Sequence, residues 1–209
     1  GTRVTDGVLQ LGYDATKGSI VGRVRVGEWG TLDVVNADTS GITRITNYGL
    51  TSFFNNTDAG SARVINNGLA SFEDNSNAGT ARITNNGLLQ FIDNASAASS
   101  SVTNHFGLGF AGDSTAGNAT ITNRGGLLFA ENSTAGNATI TTTKFAETLF
   151  VENADGGNAR FITRSGGLVD FSFGTGPAGD GRINAGSIEG AGTYIIGGGN
   201  TLTVGSNNL

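Results

Sequence analysis

The chain of 209 residues lacks several residue types, and each absence removes a class of protein. It has no Cys, which excludes disulfides, thiolate metal sites and a Cys nucleophile. One Pro beside 35 Gly argues against collagen and Pro-rich disordered chains. The single His leaves a Ser-His-Asp arrangement only one possible base. The net charge of −5 argues against a nucleic-acid binder.

Secretion signals and membrane spans are also missing. No run of about 18 apolar residues is present, and no signal peptide precedes the first strand pattern. The chain has no Met and begins at Gly1, so we expect it to be a fragment whose targeting or anchoring segments lie elsewhere.

What the chain has in abundance is repetition. "STAGNATIT" occurs at Ser114–Thr122 and again at Ser133–Thr141, which gives a period of about 19 residues. Phe recurs at the same spacing and then continues with two longer steps. The Phe series comprises Phe53, Phe72, Phe91, Phe110, Phe129, Phe150 and Phe171. The two extra residues of each longer step fall in the variable stretches Thr141–Glu147 and Thr163–Gly167. Such a period is too short for helix-hairpin repeats of roughly 33–47 residues.

One unit, "DNSNAGTARITNNGLLQFI" (Asp74–Ile92), contains two short runs in which apolar and polar residues alternate. "NNG" and "DNSNAG" separate these runs and are typical of turns. Two or three short strands per unit predict an all-β fold, a right-handed parallel β-helix (solenoid) with about 19 residues per coil. We expect one repeat domain over residues 1–209, with regular coils over about 24–172 and irregular coils over 173–209.

Equivalent residues of successive coils form columns along the axis, and we expect four columns to face inward. The first is the Phe series with Val34. The second is Val26, Ile45, Val64, Ile83, Val102, Ile121, Ile140 and Phe161. The third is Leu32, Thr51, Ala70, Leu89, Leu108 and Leu127. The fourth is Val24, Thr43, Ala62, Ala81, Ser100, Ala119, Ala138 and Ala159.

Two further columns predict corners of the coil. Asn47, Asn66, Asn85, Asn104 and Asn123 are placed to hydrogen-bond from coil to coil as an amide ladder. Gly60, Gly79, Gly117 and Gly136 provide permissive backbone at another turn.

The wording of the repeats resembles that of bacterial autotransporter passengers with autotransporter-associated β-strand repeats. Ser114–Thr141 and the tail "GAGTYIIGGGNTLTVGSNNL" (Gly190–Leu209) carry the likeness. The resemblance implies a β-helix displayed outside a Gram-negative cell, attached to the outer membrane or secreted. It also implies export by a C-terminal barrel, which is not among these residues. Passengers of that family include adhesins, proteases, esterases and stalks, so the resemblance alone leaves the activity open.

Arg25, Arg44, Arg63 and Arg82 form one outward column, which continues as Ser101, Thr120, Thr139 and Arg160. A solvated face with counter-ions is the simpler interpretation. The alternative is a cationic strip for sulfated or acidic glycans, because like charges opposite one another otherwise destabilise a sheet.

Three other patterns have a functional and a structural interpretation. Asp74, Asp93, Glu131 and Glu152 share a column, but one carboxylate per coil is too few for a Ca²⁺ site. The "TIT" pairs at Thr120–Thr122 and Thr139–Thr141 would suit ice binding only if more coils carried them. Trp29 and Tyr48 are predicted to stack on each other at a corner, in a column of residues that continues through His105. The two rings either bind a sugar ring or shield the coil.

We therefore expect a structural or adhesive, non-enzymatic, surface-exposed stalk that needs no cofactor or metal. Its expected partners are host or cell-surface glycans or further copies of itself, with no nucleic acid. It would meet a membrane only through the missing barrel. The alternatives are a carbohydrate-active β-helix enzyme, an anionic-glycan-binding module and a self-associating module.

Overall fold

The computed structural model describes residues 1–14 and 17–207, and these form a parallel β-solenoid of about 11 coils with about 19 residues per coil. The described residues form 20 strands and no helix. The predicted all-β solenoid is thus confirmed. None of these residues belongs to a helix long and apolar enough to cross a membrane.

The coil has three sides. Strands β1 (Thr2–Leu11) and β2 (Gly22–Val35) each run along both side 1 and side 2. Side 1 then continues through β3 (Ile42–Asn47), β5 (Arg63–Asn66), β7 (Arg82–Asn85), β9 (Ser101–Asn104), β11 (Thr120–Asn123), β13 (Thr139–Thr142), β15 (Arg160–Thr163) and β18 (Ser187–Gly190).

Side 2 consists of β4 (Leu50–Phe54), β6 (Leu69–Phe72), β8 (Leu88–Phe91), β10 (Gly107–Phe110), β12 (Gly126–Phe129), β14 (Glu147–Glu152), β16 (Leu168–Gly174) and β19 (Thr193–Ile195). Side 3 is held mostly by single bridges such as Ser96↔Thr115 and Thr115↔Thr134. At the C-terminal end side 3 contains two paired strands in place of single bridges, β17 (Arg182–Ala185) and β20 (Thr201–Val204).

The Phe column is the centre of the core and lies inward as predicted. From Phe53 to Phe150 each ring stacks on the next, with centroids 4.5–4.9 Å apart and planes within 7°. Phe161 of β15 then packs edge-on against Phe150 and Phe171. Small side chains of the Ala column, such as Ala81 and Ala119, are fully buried and let the coil close without a void.

The predicted Asn ladder forms at the first corner, between sides 1 and 2. Each Asn from Asn47 to Asn104 donates its Nδ2 to Oδ1 of the Asn in the following coil at 2.8–2.9 Å. Each Nδ2 also donates to a backbone carbonyl just beyond the corner of that coil, such as Asn85 to Gly107 O at 2.7 Å. The amide of Asn47 begins the ladder, because the preceding coil has Val26 in its place.

The register of the first coils differs from the predicted constant period. Val24 pairs with Ile45, and Val26 pairs with Asn47, so Val26 does not belong to the Ile/Val column. The corner Gly27–Gly30 has two residues more than the corner Tyr48–Gly49, which lengthens this step by the same amount. Thr43 is an extra residue at a bulge and is exposed, and Ile42 is buried in its place. The predicted inward position of Thr43 was therefore wrong. Val24 and Val26 are buried as predicted, but each belongs to another column: Val24 precedes Ile45, and Val26 precedes Asn47.

Candidate functional site: the arginine face

Side 1 presents two outward columns, and arginines occupy both at the N-terminal end. In the first column the strands pair Arg23 with Arg44, Arg44 with Arg63 and Arg63 with Arg82. In the second column Arg3 pairs with Arg25, which is followed by Thr46. These six arginines, Arg3, Arg23, Arg25, Arg44, Arg63 and Arg82, are called the arginine face below.

The predicted strip therefore needs one correction. Arg25 does not align with Arg44; the longer corner at Gly27–Gly30 shifts the register by two residues, so Arg23 takes that place. Arg25 lies in the neighbouring column, where its guanidinium carbon is 4.6 Å from the centroid of the Tyr48 ring. Arg3 and Arg23 could not be assigned to the strip from the sequence, because Val24 and Val26 fit the inward pattern equally well in either register.

The charges of the arginine face are not compensated by carboxylates. Over residues 1–14 and 17–207 the ion pairs are Arg160–Glu189 and Arg182–Asp180, so none of the six arginines has one. Nε of Arg44 is buried and has no hydrogen-bond partner within this part of the chain. Adjacent parallel strands lie about 4.8 Å apart, so neighbouring guanidinium groups repel one another along the whole row.

The surface of the arginine face is concave in two places. A depression of about 450 Å³ is lined by Arg3, Arg23, Arg25, Arg44 and Tyr48 among others. A second depression of about 290 Å³ lies beside Arg63 and Arg82 and continues onto Ser101 and Thr103. Guanidinium groups bind sulfate, phosphate and carboxylate through paired N–H donors, so both depressions suit anions.

The two aromatic residues predicted to stack, Trp29 and Tyr48, both lie at the first corner. Trp29 sits at the tip of the longer corner and is 80% exposed, whereas the Tyr48 ring lies against Arg25. Within the described residues the two rings form no stacked pair, so that prediction was wrong.

The threonines of the two "TIT" segments point outward on side 1. These are Thr120, Thr122, Thr139 and Thr141. His105 is exposed at the first corner.

The acidic column has a structural role that the sequence did not reveal. Asp74, Asp93, Glu131 and Glu152 all adopt a positive φ of 56–57° at the second corner, between sides 2 and 3. Each carboxylate accepts a hydrogen bond from a backbone N–H of the preceding coil. Examples are Glu131 from Gly112 N at 2.7 Å and Glu152 from Glu131 N at 2.8 Å. Within the described ranges, no group of three or more His, Asp or Glu side chains is placed to hold a metal ion.

Comparison of the chain with models of protein families, with curated proteins and with solved structures gave no significant match.

Proposed function

We propose that this chain is a non-catalytic, structural and adhesive β-solenoid that attaches to anionic glycans through the arginine face. The resemblance of Ser114–Thr141 and Gly190–Leu209 to autotransporter passengers supports a place on the bacterial surface or in the medium. In this proposal the stacked interior forms a stiff rod, and the arginine face is its adhesive surface.

The observation that carries the proposal is the row of uncompensated arginines. Four guanidinium groups from Arg23 to Arg82 occupy successive coils, so the row spans roughly 14 Å at the usual strand spacing. A single small anion cannot contact four groups over that length. A linear polyanion that lies along the axis can neutralise all of them and relieve their repulsion.

A single glycan chain fits this surface better than a nucleic-acid duplex. The arginine face is only two columns wide, and exposed acids flank it: Glu28 at the first corner and Asp38 and Asp58 on side 3. A wide duplex would bring its phosphates close to these carboxylates.

Retention on immobilised heparin tests the proposal. We expect Arg44→Ser/Arg63→Ser to weaken heparin binding by about a hundredfold or more, because two charge-assisted contacts of roughly 1.5–3 kcal/mol each are lost. The matched control, Arg160→Ser/Arg182→Ser, removes the same net charge from the C-terminal coils, where both arginines are ion-paired. It should change the affinity less than about twofold at a physiological ionic strength that screens distant charges. No retention of the unmodified protein at low salt, or equal losses in both variants, would overturn the proposal.

A further inference from the structure

A second cationic surface lies on the C-terminal side of the arginine face, where the first corner is longer. Most corners between sides 1 and 2 have two residues. Besides Gly27–Gly30 at the N-terminal end, the corners with four residues are Thr143–Ala146 and Arg164–Gly167. These are the two insertions that the spacing of the Phe residues predicts. The insertions stack on each other, since the backbone N–H of Phe145 donates to Gly166 O at 2.8 Å.

The insertions place two cations beside a third, Arg124 of the preceding corner, around one depression. Arg124, Lys144 and Arg164 come from three successive coils and line a concavity of about 650 Å³. Its remaining lining residues are Thr122, Thr141 and Thr143. We call these six residues the corner pocket. All three cationic side chains are exposed, and within the described ranges none of them forms an ion pair.

The fold holds Lys144 in place without neutralising it. Gly166 has a φ of +77°, and a Cβ at that position would lie 2.9 Å from Cγ of Lys144, so the lysine stem packs directly on the glycine. Nζ of Lys144 lies 4.7 Å from the centroid of the Phe145 ring, which orients the ammonium group but supplies no countercharge.

The hydroxyl groups complete the chemistry of the corner pocket. Thr143 donates its Oγ1 hydrogen to Asn123 O at 3.1 Å, which fixes that side chain against the first corner. Thr122 and Thr141 pair in adjacent strands and point outward beside the cations. Three positive charges and two outward hydroxyls provide donors from several directions, which a tetrahedral oxyanion can accept.

We propose that the corner pocket binds the phosphate or sulfate group of a small monoester. Arg124, Lys144 and Arg164 neutralise the oxyanion, and Thr122 and Thr141 donate hydrogen bonds to its oxygens. The concave shape and the convergence of the three cations at one corner distinguish this pocket from the open row of the arginine face. The inference stands apart from glycan adhesion, because it uses other residues on other coils.

Isothermal titration calorimetry with glucose 6-phosphate, glucose 6-sulfate and glucose tests the inference on the complete chain. We expect both esters to bind at physiological salt and glucose not to bind. The ester with the higher affinity identifies which oxyanion the pocket prefers. Lys144→Gln and Arg164→Gln should each weaken ester binding by about tenfold, the loss expected for one charge-assisted hydrogen bond.

Two controls separate local from general electrostatics. Arg182→Gln removes one positive charge outside the pocket and should leave ester affinity unchanged, as should Arg44→Ser/Arg63→Ser. Lys144→Arg keeps the charge and should retain binding. Thermal unfolding of every variant shows whether the coil is intact. Failure of both esters to bind the unmodified protein, or losses in Lys144→Gln no larger than in Arg182→Gln, would overturn the inference and leave glycan adhesion untouched.

Discussion

The two ends of side 1 use the same outward column in opposite ways. At the N-terminal end Arg63 and its neighbours have no carboxylate partner among the described residues. In the same column at the C-terminal end, Arg160 donates from Nε and Nη2 to both carboxylate oxygens of Glu189, at 2.6 and 2.8 Å. The backbone pairing is parallel and regular in both regions. The following strand differs at two positions. Arg160 has Ser187 directly opposite and Glu189 on the diagonal, whereas Arg63 has Arg82 directly opposite and Thr84 on the diagonal.

The stacked Phe column runs through both regions, and beside Arg160 the edge-on ring of Phe161 joins it. Phe91 and Phe129 each lie between two stacked rings at 4.8–4.9 Å and have no exposed surface. The stacked Phe column is therefore a framework common to both regions. What each region can bind depends on outward side chains, which the core does not constrain.

The largest effect is expected from substitutions in the Phe column, which should be equally well packed along the solenoid. Phe91→Ala and Phe129→Ala should each lower the free energy of unfolding by about 3–5 kcal/mol, because each leaves a cavity between two rings. Chemical denaturation monitored by circular dichroism measures both losses. We expect the two values to agree within about 1 kcal/mol, since the contexts match and the sites are independent. A near-neutral result for either variant would contradict the buried Phe column.

The buried residues could be predicted well from the sequence, because the residues that repeat with the coil period are mainly those that face inward. Phe, Leu and Ala at fixed spacing leave few ways to fill a coil, and the Asn column can satisfy its buried amides only by stacking. Register was predicted less well at the N-terminal end. Val24 and Val26 both face inward and differ by two positions, so a shift of two residues keeps every apolar side chain inside. Only the extra length of the corner Gly27–Gly30 sets the true pairing.

The outward features were the hardest to predict, because they depend on corner geometry. The corner pocket forms only when two insertions stack, and a sequence shows each insertion without showing their contact. In the sequence the carboxylates of Asp74 and Glu131 form only a charged column. Their hydrogen bonds to the preceding coil follow from a positive φ, which is uncommon for residues other than Gly, Asn and Asp.

An intermediate effect is expected when the ion pair of Arg160 is reproduced beside Arg63. Thr84→Glu places a carboxylate diagonal to Arg63, as Glu189 lies diagonal to Arg160. We expect heparin affinity to fall by about three- to tenfold, because one arginine becomes paired and the new charge repels the polyanion.

Equilibrium titration with heparin oligosaccharides measures this change. Thr84→Gln is the matched control, since it has the same length and no charge, and it should bind like the unmodified protein. If Thr84→Glu and Thr84→Gln bind heparin equally well, then the missing carboxylate is not what keeps the arginine face available.

The smallest expected effect concerns the ion pair itself and depends on pH. Hydrogen bonds from Arg160 hold the pKa of the Glu189 carboxyl below its ordinary value of about 4.5. The folded state therefore binds the proton less tightly than the unfolded state. The stability from this group is complete above the unfolded pKa and disappears as pH falls through the lowered folded pKa.

Melting temperatures of the unmodified protein and of Glu189→Gln measure this contribution. Burial of Asp33 raises the pKa of that carboxyl, which has the opposite sign but is common to both proteins compared. We thus expect the unmodified protein to melt slightly above Glu189→Gln at pH 7. The gap should close as pH falls below about 4.5, because an exposed pair contributes little and only while ionised. A gap in melting temperature that stays constant from pH 7 to pH 3 would mean that the charge on Glu189 adds nothing to stability. The ion pair at this end of side 1 would then only occupy Arg160, which would otherwise be available to an anion.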